Sequence, residues 1–252
     1  KTEEIDYCVG CNQGCYDGFE SKDSPCITCL RNPAVGREKE CELIPAEKPE
    51  TVLIAGGGIG GLEAAIILKK RGHNPTLCEA TDTLGGQFLT AGEAPRKAEM
   101  KAAVLSMAEK AKRLGVDIRM NTKVTPEMIA EIKPHTFINA IGAAPIVPPI
   151  PGNDKAFVVD SHAVLDGEAK AEGNVVVIGG GMVGCECALE LGRAGKHVTL
   201  IQRSDLLAKD GTFTERMHTI KFMEEVASVS LNTTPVEITE TEVKAIDQDG
   251  LC

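Results

Sequence analysis

Two stretches of the chain repeat one order of hydrophobic and polar positions. Thr51-Val52-Leu53-Ile54-Ala55 is a short apolar run of the kind a strand buried on both faces requires. The glycine turn Gly56-Gly57-Gly58-Ile59-Gly60-Gly61 follows it. Apolar positions then predict a helix over 62–71, with Gly72 as its stop. A second strand is predicted over 74–79 and a buried strand over 136–140. Met100, Val104, Met107, Ala108, Ala111 and Leu114 recur at helical spacing and predict a helix near 96–114. The order then restarts. The run 174–178 reads as a strand, Gly179-Gly180-Gly181-Met182-Val183-Gly184 as a turn, 185–194 as a helix stopped by Gly195, and 197–202 as the next strand. A shift of 123 residues superposes the two stretches without a gap, pairing Val52 with Val175, Gly56 with Gly179, Gly58 with Gly181, Gly61 with Gly184 and Gly72 with Gly195. This is a domain-sized repeat, and two units of one kind imply two sites of one kind.

Ahead of the repeat lie about forty polar, cysteine-rich residues without sustained periodicity. A linker over 42–50 carries Pro45 and Pro49, which fit neither a helix interior nor a central strand. The expected organisation is therefore a cysteine-rich segment over 1–41, the linker, a first α/β domain over 51–152 and a second over 153–252, where 243–246 still belongs to the second domain. Composition narrows the function. A net charge of −10 argues against a nucleic-acid partner, which needs a basic surface. Aromatic residues at 3% with no Trp argue against base-stacking surfaces and ring-lined sugar clefts. No apolar run reaches the ~18 residues of a membrane span, and no signal segment opens the chain, so a cytoplasmic setting is expected. The start at Lys1 rather than Met reads as a fragment of a longer protein.

Each glycine turn sits between a strand and a helix, the context that gives G-x-G-x-x-G its meaning. Gly56 and Gly179 allow the tight turn, Gly58 and Gly181 let a pyrophosphate approach the backbone, and Gly61 and Gly184 let helix and strand pack closely. The pyrophosphate would rest on N–H groups at the positive end of the helix. An acid is expected at the end of the second strand to take the ribose hydroxyls. The first unit has Glu79 there, and the second has Gln202 followed by Arg203. A neutral amide does not repel a 2′-phosphate, and an arginine fork can pair with one, so the second unit is expected to prefer NADPH. Two dinucleotide sites in one chain suggest a relay from a nicotinamide donor to a flavin acceptor.

Ten cysteines are the strongest compositional signal, and Cys8, Cys11, Cys15, Cys26 and Cys29 crowd the N-terminal segment. Without a secretion signal, thiolate-bound metal is a better reading than a disulfide framework. Cys8-x2-Cys11-x3-Cys15 with a downstream ligand suits an iron–sulfur cluster, while Cys8-x2-Cys11 with Cys26-x2-Cys29 forms two zinc-type knuckles; spacing leaves both open. Cys41, Cys78, Cys185, Cys187 and Cys252 are scattered and read as inert, and the five histidines lack ligand spacing.

Cys8-Val9-Gly10-Cys11-Asn12-Gln13-Gly14-Cys15 resembles the cluster motif of the iron–sulfur flavoenzymes related to 2,4-dienoyl-CoA reductase, enoate reductase and trimethylamine dehydrogenase, and Cys29-Leu30-Arg31-Asn32-Pro33 resembles the segment carrying their fourth ligand. The resemblance implies a [4Fe–4S] cluster on Cys8, Cys11, Cys15 and Cys29. Gly56 to Gly61 with Glu79 resembles the family's flavin turn, and Leu84-Gly85-Gly86-Gln87 its second flavin contact. Asn139-Ala140-Ile141-Gly142 and Pro149-Ile150-Pro151-Gly152 resemble its crossover into an inserted nicotinamide domain. The fold so implied is α/β, two Rossmann-like three-layer domains, the second inserted in the first, after a small cysteine-rich cluster segment. Gly56, Gly58, Gly61, Glu79, Gly86, Gln87 and Gly142 would then serve FAD, and Gly179, Gly181, Gly184 and Arg203 would serve NAD(P)H. The resemblance also implies an upstream FMN-binding TIM barrel of the same polypeptide, absent from this sequence, that reduces an activated C=C bond. The first domain's closing strand is likewise absent, which implies an open, weakly held flavin. Homo-oligomers are compatible with this reading. Its rivals are a stand-alone electron-transfer module for a partner subunit and a zinc-knuckle binding protein with non-catalytic dinucleotide folds.

Overall fold

A computed structural model describes residues 5–19 and 26–251; Lys1 and Cys252, named above, lie outside them. Within the described cysteine-rich segment the only helix is one turn, α1 (Tyr16–Phe19). Contacts divide the chain into two units. One comprises Lys1–Gly10 with Thr28–Ala144, the other Cys11–Ile27 with Pro145–Cys252.

The first unit holds β1 (Thr51–Ala55), α2 (Ile59–Lys70), β2 (Asn74–Cys78), α3 (Gln87–Ala91), α4 (Ala98–Arg113), β3 (Asp117–Arg119), α5 (Pro126–Ile132) and β4 (Thr136–Asn139). Its strands form one parallel sheet in the order β3-β2-β1-β4. The chain steps outward from β1 to β2 and β3, then returns to the other flank of β1 with β4. That reversal leaves a crevice at the carboxyl ends of β1 and β4, where open α/β sheets bind ligands. Leu53 and Ile54 are fully buried, as a central strand requires, and Leu62, Ile66, Leu77, Val104, Met107 and Ala111 build the core around them. The predicted buried strand at 136–140 is corrected here. β4 is largely exposed, because an edge strand lacks a neighbour on one side.

The second unit holds α6 (Ser161–Leu165), β5 (Asn174–Ile178), α7 (Met182–Arg193), β6 (His197–Ile201), α8 (Phe213–Glu224), β7 (Ala227–Ser230), β8 (Thr234–Ile238), β9 (Val243–Asp247) and β10 (Gly250–Leu251). β5-β6-β7 is a parallel sheet and β8-β9-β10 an antiparallel one. Leu200, Met223, Cys185 and Ala188 are fully buried in its core. β5 is half-exposed although its apolar pattern matches that of β1, again because it lies at a sheet edge. Pro151 accepts the Ile238 N–H at 2.8 Å, and an added Cβ on Gly152 would lie 2.1 Å from the Ile238 carbonyl oxygen, so the Pro-rich crossover docks closely on β8. Both repeat helices begin three residues earlier than the glycine pattern predicts, at Ile59 and Met182. The last residues of each turn are thus already helical.

Candidate functional site

The first glycine turn joins the end of β1 to α2. Gly56 has φ +102°, and a Cβ there would stand 2.3 Å from the Ala140 carbonyl oxygen. A Cβ on Gly61 would stand 1.9 Å from the Gly56 carbonyl oxygen. Neither position admits a side chain without backbone movement. Gly58 differs: its φ is −72°, and the nearest atom to an added Cβ is the Gly86 Cα at 4.0 Å. The space beside Gly58 is therefore open for a ligand rather than filled by protein. Gly58 also bridges to Gly85, and the Gly85 N–H donates to the Gly57 carbonyl at 2.9 Å, which braces the turn with a second glycine loop.

Glu79 follows β2 directly. Its Oε2 accepts the Gly57 N–H at 2.7 Å, while Oε1 accepts the Thr81 N–H at 2.8 Å and the Thr81 hydroxyl at 2.9 Å. A carboxylate offers about four lone-pair sites, so one remains for a ribose hydroxyl. Gln87, at the start of α3, donates its side-chain amide to the Ala143 carbonyl. Gly142 is exposed with φ +75° and nothing within 4 Å of an added Cβ. The fold thus gathers Gly56, Gly58, Gly61, Glu79, Gly86, Gln87 and Gly142 at the carboxyl ends of β1, β2 and β4. This cradle of backbone, with an uncapped helix start, fits the pyrophosphate of a dinucleotide such as FAD.

The second turn repeats the geometry. A Cβ on Gly184 would stand 1.9 Å from the Gly179 carbonyl oxygen, and the Gly180 N–H donates to Gln202 Oε1 at 3.1 Å as the Gly57 N–H does to Glu79. Gln202 Nε2 donates to the Ser204 hydroxyl and the Leu206 carbonyl, so the amide is committed to the loop. Arg203 beside it is exposed. Gly179 has φ +105° but, unlike Gly56, nothing within 4 Å of an added Cβ. The sequence reading missed Asp210, whose Oδ1 accepts the Met182 N–H at 2.9 Å at the start of α7. Carrying the 123-residue shift past β6 would have found it, because Leu207-Ala208-Lys209-Asp210 falls on Leu84-Gly85-Gly86-Gln87.

Of the candidate ligands, Cys8 and Cys29 belong to the first unit and Cys11 and Cys15 to the second. None of the described cysteines forms a disulfide. Cys8 Sγ accepts the Gly10 N–H at 3.3 Å, an N–H···S bond of the sort that steadies a thiolate ligand. In the first unit Arg31 pairs with Asp6 at 3.1 Å and Lys110 of α4 with the same carboxylate at 2.8 Å, so the arms bearing Cys8 and Cys29 are held to one point on α4. Burial pushes the Asp6 carboxyl up, but the hydrogen bond and charge of Lys110, with Arg31 and Lys70, outweigh it and hold it below its ordinary value. The all-thiol donor set fits iron–sulfur chemistry, although among the described residues no three His, Cys, Asp or Glu side chains are gathered into a metal site. Cys185 and Cys187 are buried, and that burial pushes both thiols up to about 11, as inert packed cysteines require. No described helix is long and apolar enough to cross a membrane.

Two parallel sheets, each opening at a strand–glycine turn–helix corner, define a paired dinucleotide-fold redox protein. Residues 50–251 match the pyridine nucleotide-disulphide oxidoreductase family, and the chain belongs to it. It is an oxidoreductase of the flavin and nicotinamide kind, and the resemblance to the enoate reductase type holds. It is 35% identical to the bilirubin reductase of Mediterraneibacter gnavus over 98% of this chain and 38% of that protein, and 36% identical to the cinnamate reductase of Clostridium sporogenes over 86% and 32%. A 2-naphthoyl-CoA reductase structure in complex with 2-naphthoyl-CoA matches with TM-score 0.92 at 28% identity, over 99% of this chain and 38% of that one. The chain thus spans about a third of the length of the relatives it matches.

Proposed function

We propose that the chain is the electron-transfer portion of an NAD(P)H-dependent iron–sulfur flavoprotein reductase. Electrons would pass from NAD(P)H by way of FAD and a [4Fe–4S] cluster to an FMN barrel of the same polypeptide, which reduces an activated C=C bond such as an enoate or a dienoyl thioester. The observation that carries this reading is the pair of matched glycine turns, together with likeness to reductases of cinnamate and 2-naphthoyl-CoA over nearly the whole chain.

When bound, the flavin supplies the exchange between a two-electron hydride and single electrons, and the cluster supplies one-electron relay. The chain's own residues bind and orient. The first turn presents backbone N–H groups around Gly58, with Gly86 close by and no side chain between them. Glu79 fixes the turn through Gly57 and keeps an acceptor for the ribose. The second turn would take NAD(P)H on Gly179, Gly181 and Gly184, with Arg203 free in charge and exposure to meet a 2′-phosphate. Cys8, Cys11, Cys15 and Cys29 would supply the four thiolates.

The test is a visible spectrum of the purified chain with iron, acid-labile sulfide and zinc analysis, followed by anaerobic addition of NADPH. Iron–sulfur absorbance, and flavin absorbance once FAD is supplied, that bleach on NADPH addition are expected. A colourless protein with stoichiometric zinc would refute the reading.

A further inference from the structure

We propose that Asp210 is an internal anion that competes with the nucleotide's pyrophosphate, making the second glycine turn the exchanging site of the pair. The inference rests on the reading above that this turn binds NAD(P)H.

The two turns share the bonds that brace their corners. The Gly85 N–H donates to the Gly57 carbonyl at 2.9 Å, and its counterpart, the Ala208 N–H, donates to the Gly180 carbonyl at 2.7 Å. Leu84 and Leu207 pack under Gly57 and Gly180 in the same way. The position that breaks the match is Gln87 against Asp210. Gln87 reaches away to the Ala143 carbonyl and leaves the start of α2 without a cap. Asp210, itself exposed, turns its carboxylate to the start of α7. Its Oδ1 accepts the N–H of Met182, the first residue of α7, and both its oxygens lie 3.4 Å from where a Cβ on Gly181 would stand. That is the approach a pyrophosphate would use.

A helix start with free N–H groups favours one anion, and two placed there repel each other. A dinucleotide must therefore displace the carboxylate from Met182, and the carboxylate's return helps to eject it. The first turn carries no such competitor. The asymmetry suits the two occupants: a flavin that stays, and a hydride donor that must leave after each turnover.

The experiment is calorimetric titration of the full chain with NADPH, NADH, ADP-ribose and adenosine. Asp210→Asn and Asp210→Gln, the latter installing the counterpart residue, remove the charge at the turn. Asp205→Asn removes an exposed carboxylate from the same loop without touching the turn. Gly181→Val reports whether the titrated site is the second turn. Both Asp210 variants are expected to tighten NADPH, NADH and ADP-ribose by about fivefold, mainly through slower release, and to leave adenosine unchanged. Asp205→Asn is expected to change little. Asp210 variants that bind no tighter than Asp205→Asn, or bind more weakly, would overturn the proposal while the functional reading stands. Nucleotide binding that is absent from the wild type, or that survives Gly181→Val, would remove the functional reading itself.

Discussion

Replacing Gly56 and Gly179 by alanine, one at a time, separates two physical costs that sequence treats as one. The residues are equivalent in the repeat and have nearly equal backbone angles, φ +102° and +105°. An L-residue in that region loses about 1–2 kcal/mol relative to glycine, so both variants carry this conformational cost. The surroundings differ. At Gly56 the new methyl would lie 2.3 Å from the Ala140 carbonyl oxygen and 2.7 Å from its carbon, both backbone atoms of the residue that follows β4, whose N–H donates to the Ala55 carbonyl at 2.8 Å. Overpacking against such atoms adds about 1–3 kcal/mol. At Gly179 nothing lies within 4 Å, and no such cost arises. Gly56→Ala should therefore destabilise by about 2–5 kcal/mol and Gly179→Ala by about 1–2 kcal/mol. Gly61→Ala and Gly184→Ala are the controls: each Cβ would lie 1.9 Å from the carbonyl oxygen of the glycine five residues earlier, Gly56 or Gly179, so their losses should match. Urea unfolding monitored by far-UV circular dichroism gives the midpoints, compared at constant slope. Equal losses for Gly56→Ala and Gly179→Ala would show that the contact with Ala140 is not a constraint, and the reasoning would fail.

Three further outcomes are expected. Serine at Cys8, Cys11, Cys15 or Cys29 should each abolish iron incorporation while Cys26→Ser retains it; the reverse result for Cys26 and Cys29 would reassign the fourth ligand. Arg203→Ala should weaken NADPH more than NADH by several-fold, the range of one exposed charge-assisted pair, and wild-type binding of NADH as tight as NADPH would contradict this. Cys185 and Cys187, pushed from an ordinary 9.0 up to about 11 by burial, stay protonated at pH 8, so iodoacetamide followed by mass spectrometry should leave them unlabelled while exposed Cys26 reacts. An acid whose folded value lies above its unfolded value stabilises the fold below the unfolded value. That contribution is lost as pH rises from 9.0 to about 11, and the unfolding midpoint should fall across this window.

Elements governed by local pattern were legible before the structure. β1 and β5 fall on the predicted residues, because an apolar run bounded by glycine has few alternatives. Gly72 and Gly195 adopt positive φ where a helix stop was expected. What depends on neighbours was not legible. The apolar pattern of β5 matches that of β1, yet one strand lies at a sheet edge and the other inside its sheet. α8 was not read although Phe213, Met217, Ile220 and Met223 recur at helical spacing, and Phe213 and Met217 at its start remain exposed. Asp210 was legible only through the repeat, as the counterpart of Gln87, because its role depends on a backbone N–H of Met182, 28 residues earlier in the chain. Both short strand ends, at Cys78 and Ile201, fall one residue before the prediction, since Glu79 and Gln202 turn their side chains back to the glycine corners.

The bracing of Gly58 against Gly85 and Gly86 has a consequence for how this site tolerates genetic change. Its anchoring groups are amide N–H groups, which every residue except proline carries, so few substitutions delete them. Damage comes instead from added bulk. In a saturation library, harmful variants around the first turn should concentrate at Gly56, Gly57, Gly61 and Gly86, where even a methyl meets atoms at 3.2 Å or closer. Gly60, with nothing within 4 Å, should accept small residues. Inactivation here proceeds by obstruction rather than by loss, and second changes that make room should rescue variants at Gly57, which faces the Leu84 and Glu79 side chains, but not those at Gly56, Gly61 or Gly86, which face backbone.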